Sequence, residues 1–98
     1  GEQTPVSTSQ QPVVDNNGIS YPKGSYFVQV GSYSLQSGAQ NVVAQLGAIG
    51  NANIYYVSVN GQNYYRVRVG PFANETEAAV ALSKVQNNGI YDAKIVTD

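Results

Sequence analysis

The sequence predicts an α+β domain built in the order strand, helix, strand, strand, helix, strand, and three observations predict it. Val28-Gln29-Val30-Gly31-Ser32-Tyr33 recurs as Val67-Arg68-Val69-Gly70-Pro71-Phe72, each copy running from an alternating stretch into a helical pattern. Only two copies fit, fewer than a stacked array needs to cover its ends, so the repeat reads as a closed pseudo-symmetric domain. Asn60-Gly61, the pair that most readily takes the positive φ angles of a tight hairpin, joins two Tyr- and Val-rich runs. Apolar residues recur at helical spacing in two places, after the first strand and after the third. Right-handed crossovers then give a four-stranded antiparallel sheet in the order 4-1-3-2 with both helices on one face.

Residues 1–22 are rich in Gln, Ser, Thr, Pro and Asn, with Val6, Val13, Val14 and Ile19 too scattered to make a face. They read as a flexible tether before a domain spanning 23–98; the alternative is a short extra strand at Val13-Val14 or near Ile19. The first strand is Tyr26 to Gly31, with Tyr26, Val28 and Val30 on one side and Phe27, Gln29 and Gly31 on the other. Ser37-Gly38-Ala39-Gln40 has capping-box spacing, and Ala39, Val42, Val43 and Leu46 form a stripe, which predicts a helix over about 38–48. Ile54 to Val59 and Gln62 to Val69 are the hairpin strands. Asn74-Glu75-Thr76-Glu77 places two carboxylates at the positive end of a second helix, buried through Ala78, Ala81, Leu82 and Val85 and ended by Gly89. Ala93 to Val96 is the fourth strand.

The composition narrows the function. Five Lys plus Arg against six Asp plus Glu give a net charge of −1, which supplies no long-range field for nucleic acid or anionic lipid. With no Cys, His, Met or Trp, thiol nucleophiles, histidine bases and the usual soft or imidazole metal ligands are missing together. No apolar run approaches the roughly 18 residues of a membrane span, and the first residues lack the basic and apolar segments of a signal peptide.

Helices on one side leave the other side of the sheet uncovered. On that side the alternation places Phe27, Gln29 and Gly31 from the first strand, Tyr64, Arg66 and Arg68 from the third, and Tyr56 and Ser58 from the second. Rings match the C–H-rich faces of sugars, and amides and guanidiniums pair with hydroxyl, N-acetyl and carboxylate groups, so the set has the chemistry of a carbohydrate site. A glycosidase needs two facing carboxylates and this side has none; Glu75 and Glu77 read as helix-start electrostatics. A sheet bearing aromatics also describes RNA-recognition folds, but their aromatic-and-glycine signature is missing. Protein docking through the same sheet is the other alternative.

Tyr26-Phe27-Val28-Gln29-Val30-Gly31-Ser32-Tyr33, followed by Tyr65-Arg66-Val67-Arg68-Val69-Gly70-Pro71-Phe72, resembles the two halves of the SPOR domain, the sporulation-related repeat of bacterial cell-envelope proteins. The resemblance covers about 24–98. It implies a ferredoxin-like, RNP-like sheet that binds peptidoglycan glycan strands lacking stem peptides and brings its parent to the division septum. The family's glutamine falls on Gln29, its small residue after the glycine on Ser32, and its third-strand aromatic and arginine on Tyr64 and Arg66; Tyr64 departs from the Trp frequent in relatives. Phe27, Tyr56 and Arg68 join the expected glycan-binding set by geometry. The third-strand run and Gly89-Ile90-Tyr91-Asp92-Ala93-Lys94-Ile95-Val96 look most like the SPOR modules of septal lytic transglycosylases of the rare lipoprotein A kind. That implies a periplasmic location and a parent held in the outer membrane as a lipoprotein. The expected module is a monomer without catalytic residues, cofactor or metal, and without affinity for nucleic acid or direct membrane insertion.

Overall fold

The computed structural model describes Val13–Val14, Gly18 and residues 20–97. Two short strands, β1 (Val13–Val14) and β2 (Ser20–Tyr21), pair antiparallel. They precede β3 (Tyr26–Tyr33), α1 (Gln36–Gln45), β4 (Ala52–Val59), β5 (Gln62–Phe72), α2 (Glu75–Asn87) and β6 (Lys94–Thr97). The main sheet has the order β4-β5-β3-β6, all neighbours antiparallel. This is the expected 4-1-3-2 arrangement, and the α+β class holds.

The core lies between the sheet and the helices. Val28, Val30, Val67 and Val69 from the central strands meet Ala39 and Leu46 around α1 and Ala81 and Val85 of α2. The valines alternate with polar or larger residues along β3 and β5, which is what sends them to one side together. Burying each stabilises the fold by roughly 1.5–3 kcal/mol relative to exposure. Leu46, at the C-cap of α1, is fully buried and donates its N–H to the Val42 and Val43 carbonyls. The Gln45 amide donates to the Asn88 carbonyl at 2.9 Å and ties the ends of the two helices together.

Asn60 (φ 52°) and Gly61 (φ 80°) both take the left-handed conformation at the β4–β5 turn. This is what the sequence pair predicts, and it pairs Val59 with Gln62. The start of α2 is also as expected. Asn74 Oδ1 accepts from the Glu77 N–H at 2.9 Å, and Asn74 Nδ2 donates to the Glu77 carboxylate at 3.4 Å.

The start of α1 differs from the capping-box expectation. The helix begins at Gln36, one residue before the Ser37 to Gln40 motif, with Leu35 as N-cap and no side-chain cap. Gly38 lies in the first turn against the Tyr33 ring, which a Cβ there would meet at 3.7 Å. The packing of the strand end on this turn fixes where the helix enters, at the expense of the local motif. Within the expected tether, the described residues follow the alternative of a short strand at Val13-Val14, which pairs with Ser20–Tyr21. Tyr21 is only 4% exposed and sits edge-on against Phe27, with ring centroids 5.0 Å apart. Most of the rest of 1–22 lies outside the described residues.

Candidate functional site

Which side chains share the face opposite the helices follows from register. Across the β4–β5 hairpin Asn53 faces Arg68, Tyr55 faces Arg66 and Val57 faces Tyr64. A two-residue turn places odd-numbered β4 residues on the side of even-numbered β5 residues. The expected Tyr56 and Ser58 are therefore on the other side. Tyr56 pairs with Tyr65, ring to ring at 5.3 Å, half exposed at the hairpin end of the helix side. Tyr55 takes the place assigned to Tyr56 on the far face.

Strand β3 carries a second departure. Gln29 faces Arg68 and Ser32 faces Arg66, with a register shift between Gln29 and Gly31. The irregularity turns Gly31 towards the helices, where a Cβ would lie 2.8 Å from the Tyr33 hydroxyl. Ser32, exposed, takes the position that unbroken alternation assigns to Gly31. On the outer side β6 places Lys94 opposite Gln29 and Val96 opposite Phe27. Asn53, Arg68, Gln29 and Lys94 therefore form one row across all four strands, and Tyr55, Arg66 and Ser32 form the row beside it.

Phe27 is on the expected face but is not available to a ligand. It is fully buried, capped by Tyr21, 6.4 Å from the edge-on Tyr55 ring, and covered by Arg68, whose guanidinium carbon lies 5.4 Å from the Phe27 centroid and 5.8 Å from that of Tyr55. These are cation–π distances, and desolvation by the surrounding rings strengthens them. Gly70 permits the arrangement. It takes a φ of +136°, and a Cβ there would come within 3.0 Å of the Phe27 ring and 3.1 Å of the Tyr26 carbonyl oxygen.

Arg68 also donates from Nε and Nη2 to Gln29 Oε1 at 3.4 and 3.3 Å. Arg66 is different. Its Nε is buried without a hydrogen-bond partner, a costly state for a donor. Tyr64, partly exposed on the same face, donates to Gln62 Oε1 at 3.3 Å. Arg66, Arg68 and Lys94 are thus three of the chain's five cations gathered on one face. The carboxylates among the described residues lie elsewhere, Glu75 and Glu77 in the first turn of α2 and Asp92 in the turn before β6. No group of metal-ligating side chains occurs among the described residues, nor is any described helix long and apolar enough to cross a membrane.

Gln29, Ser32, Tyr64, Arg66 and Arg68 therefore share the far face, Phe27 lies beneath it, and Tyr56 is absent from it. Lys94, Asn53 and Tyr55 belong to it and are missing from the sequence-based set. Counting pairs outward from Asn60-Gly61 identifies Tyr55 and Asn53; laying the fourth strand antiparallel beside the first brings Lys94 near Gln29.

A search of curated proteins finds no match. Among solved structures, the SPOR domain of RlpA from Pseudomonas aeruginosa superposes with a TM-score of 0.62 at 24% identity, covering 74% of this chain and 99% of that one. The peptidoglycan binding domain of the B. subtilis cell wall lytic enzyme CwlC superposes at 0.61 and 24% identity, covering 78% and 91%. At these identities the likeness establishes the fold. The SPOR domain model itself matches residues 22–97, from the residue after Tyr21 to the end of β6, and the chain belongs to the SPOR domain family.

Proposed function

We propose that this domain is a non-catalytic module that binds peptidoglycan glycan strands on the sheet face opposite its helices. In this reading it prefers strands stripped of stem peptides and so carries its parent protein to the division septum within the cell envelope. The observation that carries the reading is Arg66, with a buried, unpartnered Nε on a face that holds two further cations and no described carboxylate. Removing a stem peptide leaves the lactyl group of N-acetylmuramic acid as a free carboxylate. A guanidinium pairs with that carboxylate through two parallel hydrogen bonds, which an amide-linked peptide cannot match in charge. Gln29 and Ser32 lie beside Arg66 to meet acetamido and hydroxyl groups, and the partly exposed Tyr64 ring is available for stacking. Family membership and the peptidoglycan-binding description of the CwlC domain support the same ligand.

The test is a pull-down with intact sacculi and with sacculi treated with an amidase to remove stem peptides. The wild-type domain is expected to sediment preferentially with the treated wall, unaffected by an excess of single-stranded RNA, and Gln29→Ala with Arg66→Ala is expected to abolish the preference. Full retention of binding by that double variant would refute the assignment.

A further inference from the structure

We infer that Arg68 acts as a polarity lock on Gln29. It fixes the amide so that the centre of the face presents only hydrogen-bond donors, restricting the ligand there to groups that accept, namely acetamido carbonyls and free carboxylates, and rejecting amino groups. The inference rests on the glycan-binding reading above and names which sugar chemistry that face selects.

An isolated glutamine amide offers an acceptor on one side and two donors on the other, and can rotate to suit either kind of ligand. Gln29 cannot. Its Oε1 accepts from both Nε and Nη2 of Arg68, and a guanidinium has no acceptor, so the reversed amide would set NH2 against N–H. Arg68 is itself held in place. Its guanidinium lies over the Phe27 and Tyr55 rings, and Tyr21 packs in a T-shaped contact with Phe27. Arg68 therefore rests on three buried rings, Phe27, Tyr55 and Tyr21, which gives Phe27 a supporting role beneath the ligand face.

With Oε1 occupied, the Gln29 NH2 has no acceptor among the described residues. Its cross-strand neighbour on the outer side is Lys94, and Arg66 lies one row away. Among the described residues, the side chains flanking the Gln29 NH2 in its row, Arg68 and Lys94, are cationic donors, so an ammonium there would meet donors and like charge. The side-chain acceptors that remain among the described residues of the face are uncharged and outside the centre of the Gln29 row: the Ser32, Tyr55 and Tyr64 hydroxyls one or more residues along, and the Asn53 amide oxygen on edge strand β4, whose Nδ2 donates to the Asn51 carbonyl at 3.3 Å. Arg68 is in this account a positioning residue, and Arg66 is left to pair with the ligand carboxylate.

The decisive variant is Gln29→Glu, which keeps the side-chain shape, accepts the same two Arg68 donors and replaces the outward NH2 with an acceptor. The probes are amidase-treated sacculi with their N-acetyl groups intact and the same sacculi after enzymatic N-deacetylation, which exposes amino groups. The wild-type domain is expected to favour the acetylated wall. Gln29→Glu is expected to melt no lower than wild type, to lose on the order of tenfold in affinity for acetylated wall, and to shift its preference towards the deacetylated wall. The ratio of the two affinities does not depend on the folded fraction, so it decides even if the variant melts lower. An unchanged ratio in Gln29→Glu overturns the lock while leaving glycan binding intact. Failure of the wild-type domain to prefer amidase-treated over untreated sacculi strikes the glycan-binding reading instead.

Discussion

Replacing Arg66 with Met separates what this side chain contributes to folding from what it contributes to binding. In the free domain the buried Nε has no partner, and an unsatisfied buried donor costs about 1–3 kcal/mol. The residue is partly exposed, so water solvates the outer nitrogens, and the lower end of that range, about 1 kcal/mol, is the reasonable gain on removing it. Methionine retains an unbranched apolar stem that packs as the arginine methylenes do. Arg66→Met is therefore expected to unfold at higher urea concentration, or to melt roughly 4–8 °C higher for each kcal/mol gained in a domain of this size. Binding should move the other way. Loss of one charge-assisted pair removes about 1.5–3 kcal/mol, or roughly ten- to hundredfold in affinity for amidase-treated sacculi. The two measurements, urea denaturation and sacculus sedimentation, are made on the same preparation. A variant that lost about 1 kcal/mol or more of stability while binding normally would show that Arg66 is a structural residue, and the argument from its unpaired donor would fail.

Three further outcomes follow from the packing. Asn74→Ala leaves the Glu77 N–H without its acceptor at 2.9 Å and should cost about 1 kcal/mol in urea denaturation, with sacculus binding unchanged. Gly70→Ala combines a left-handed φ with a Cβ forced against the Phe27 ring and the Tyr26 carbonyl; a loss of roughly 1–3 kcal/mol is expected, with a change in near-ultraviolet circular dichroism from the displaced Phe27–Tyr21–Tyr55 cluster. Burial raises the Tyr33 phenol above its ordinary value of 10.0. Its neutral form is favoured by folding, so the associated stability is complete below that value and is lost as pH rises through the higher folded one; urea midpoints measured in alkaline buffers should fall less steeply for Tyr33→Phe than for wild type.

The elements and their order were legible because both periodicities are clean. Valines alternate along β3 and β5, Ala78, Ala81, Leu82 and Val85 recur at helical spacing in α2, and Asn60-Gly61 admits few structures other than a tight turn. What was not legible came from single-residue offsets. A two-residue turn settles which of Tyr55 and Tyr56 faces Arg66, and placing Tyr56 there was an error of parity that the sequence could have corrected. The register shift after Gln29 was beyond it, since a glycine following a valine marks an ordinary strand as readily as an irregular one. Tyr21 was hidden for a different reason. One aromatic in a polar stretch has no periodic partner, and its contact with Phe27 exists only once the chain before β3 passes over the sheet. Phe27 accordingly lies on the face that alternation predicts, but buried there beneath Arg68 and Tyr21.

The net charge of −1 describes the chain and not the surface that meets a ligand. Arg66, Arg68 and Lys94 project from one face, whereas Glu75 and Glu77 face the N-terminal dipole of α2 and Asp92 lies in the turn before β6. Beyond a Debye length of about 8 Å at physiological salt these groups are screened and give little steering of a distant polyanion. Within contact range the cations act singly, each through the geometry of its own donors, with Arg68 already committed to Gln29 and two aromatic rings. Such a face gains little from phosphate charge density alone, since counterion release rewards many simultaneous contacts and few cations are available here. It gains most from a ligand whose carboxylate and acetamido groups recur at fixed positions along an uncharged backbone. In the proposed reading a glycan strand stripped of its peptides is such a ligand; phosphate oxygens accept from the same donors, so its discrimination from nucleic acid rests on the few cations available and the spacing of the ligand's groups.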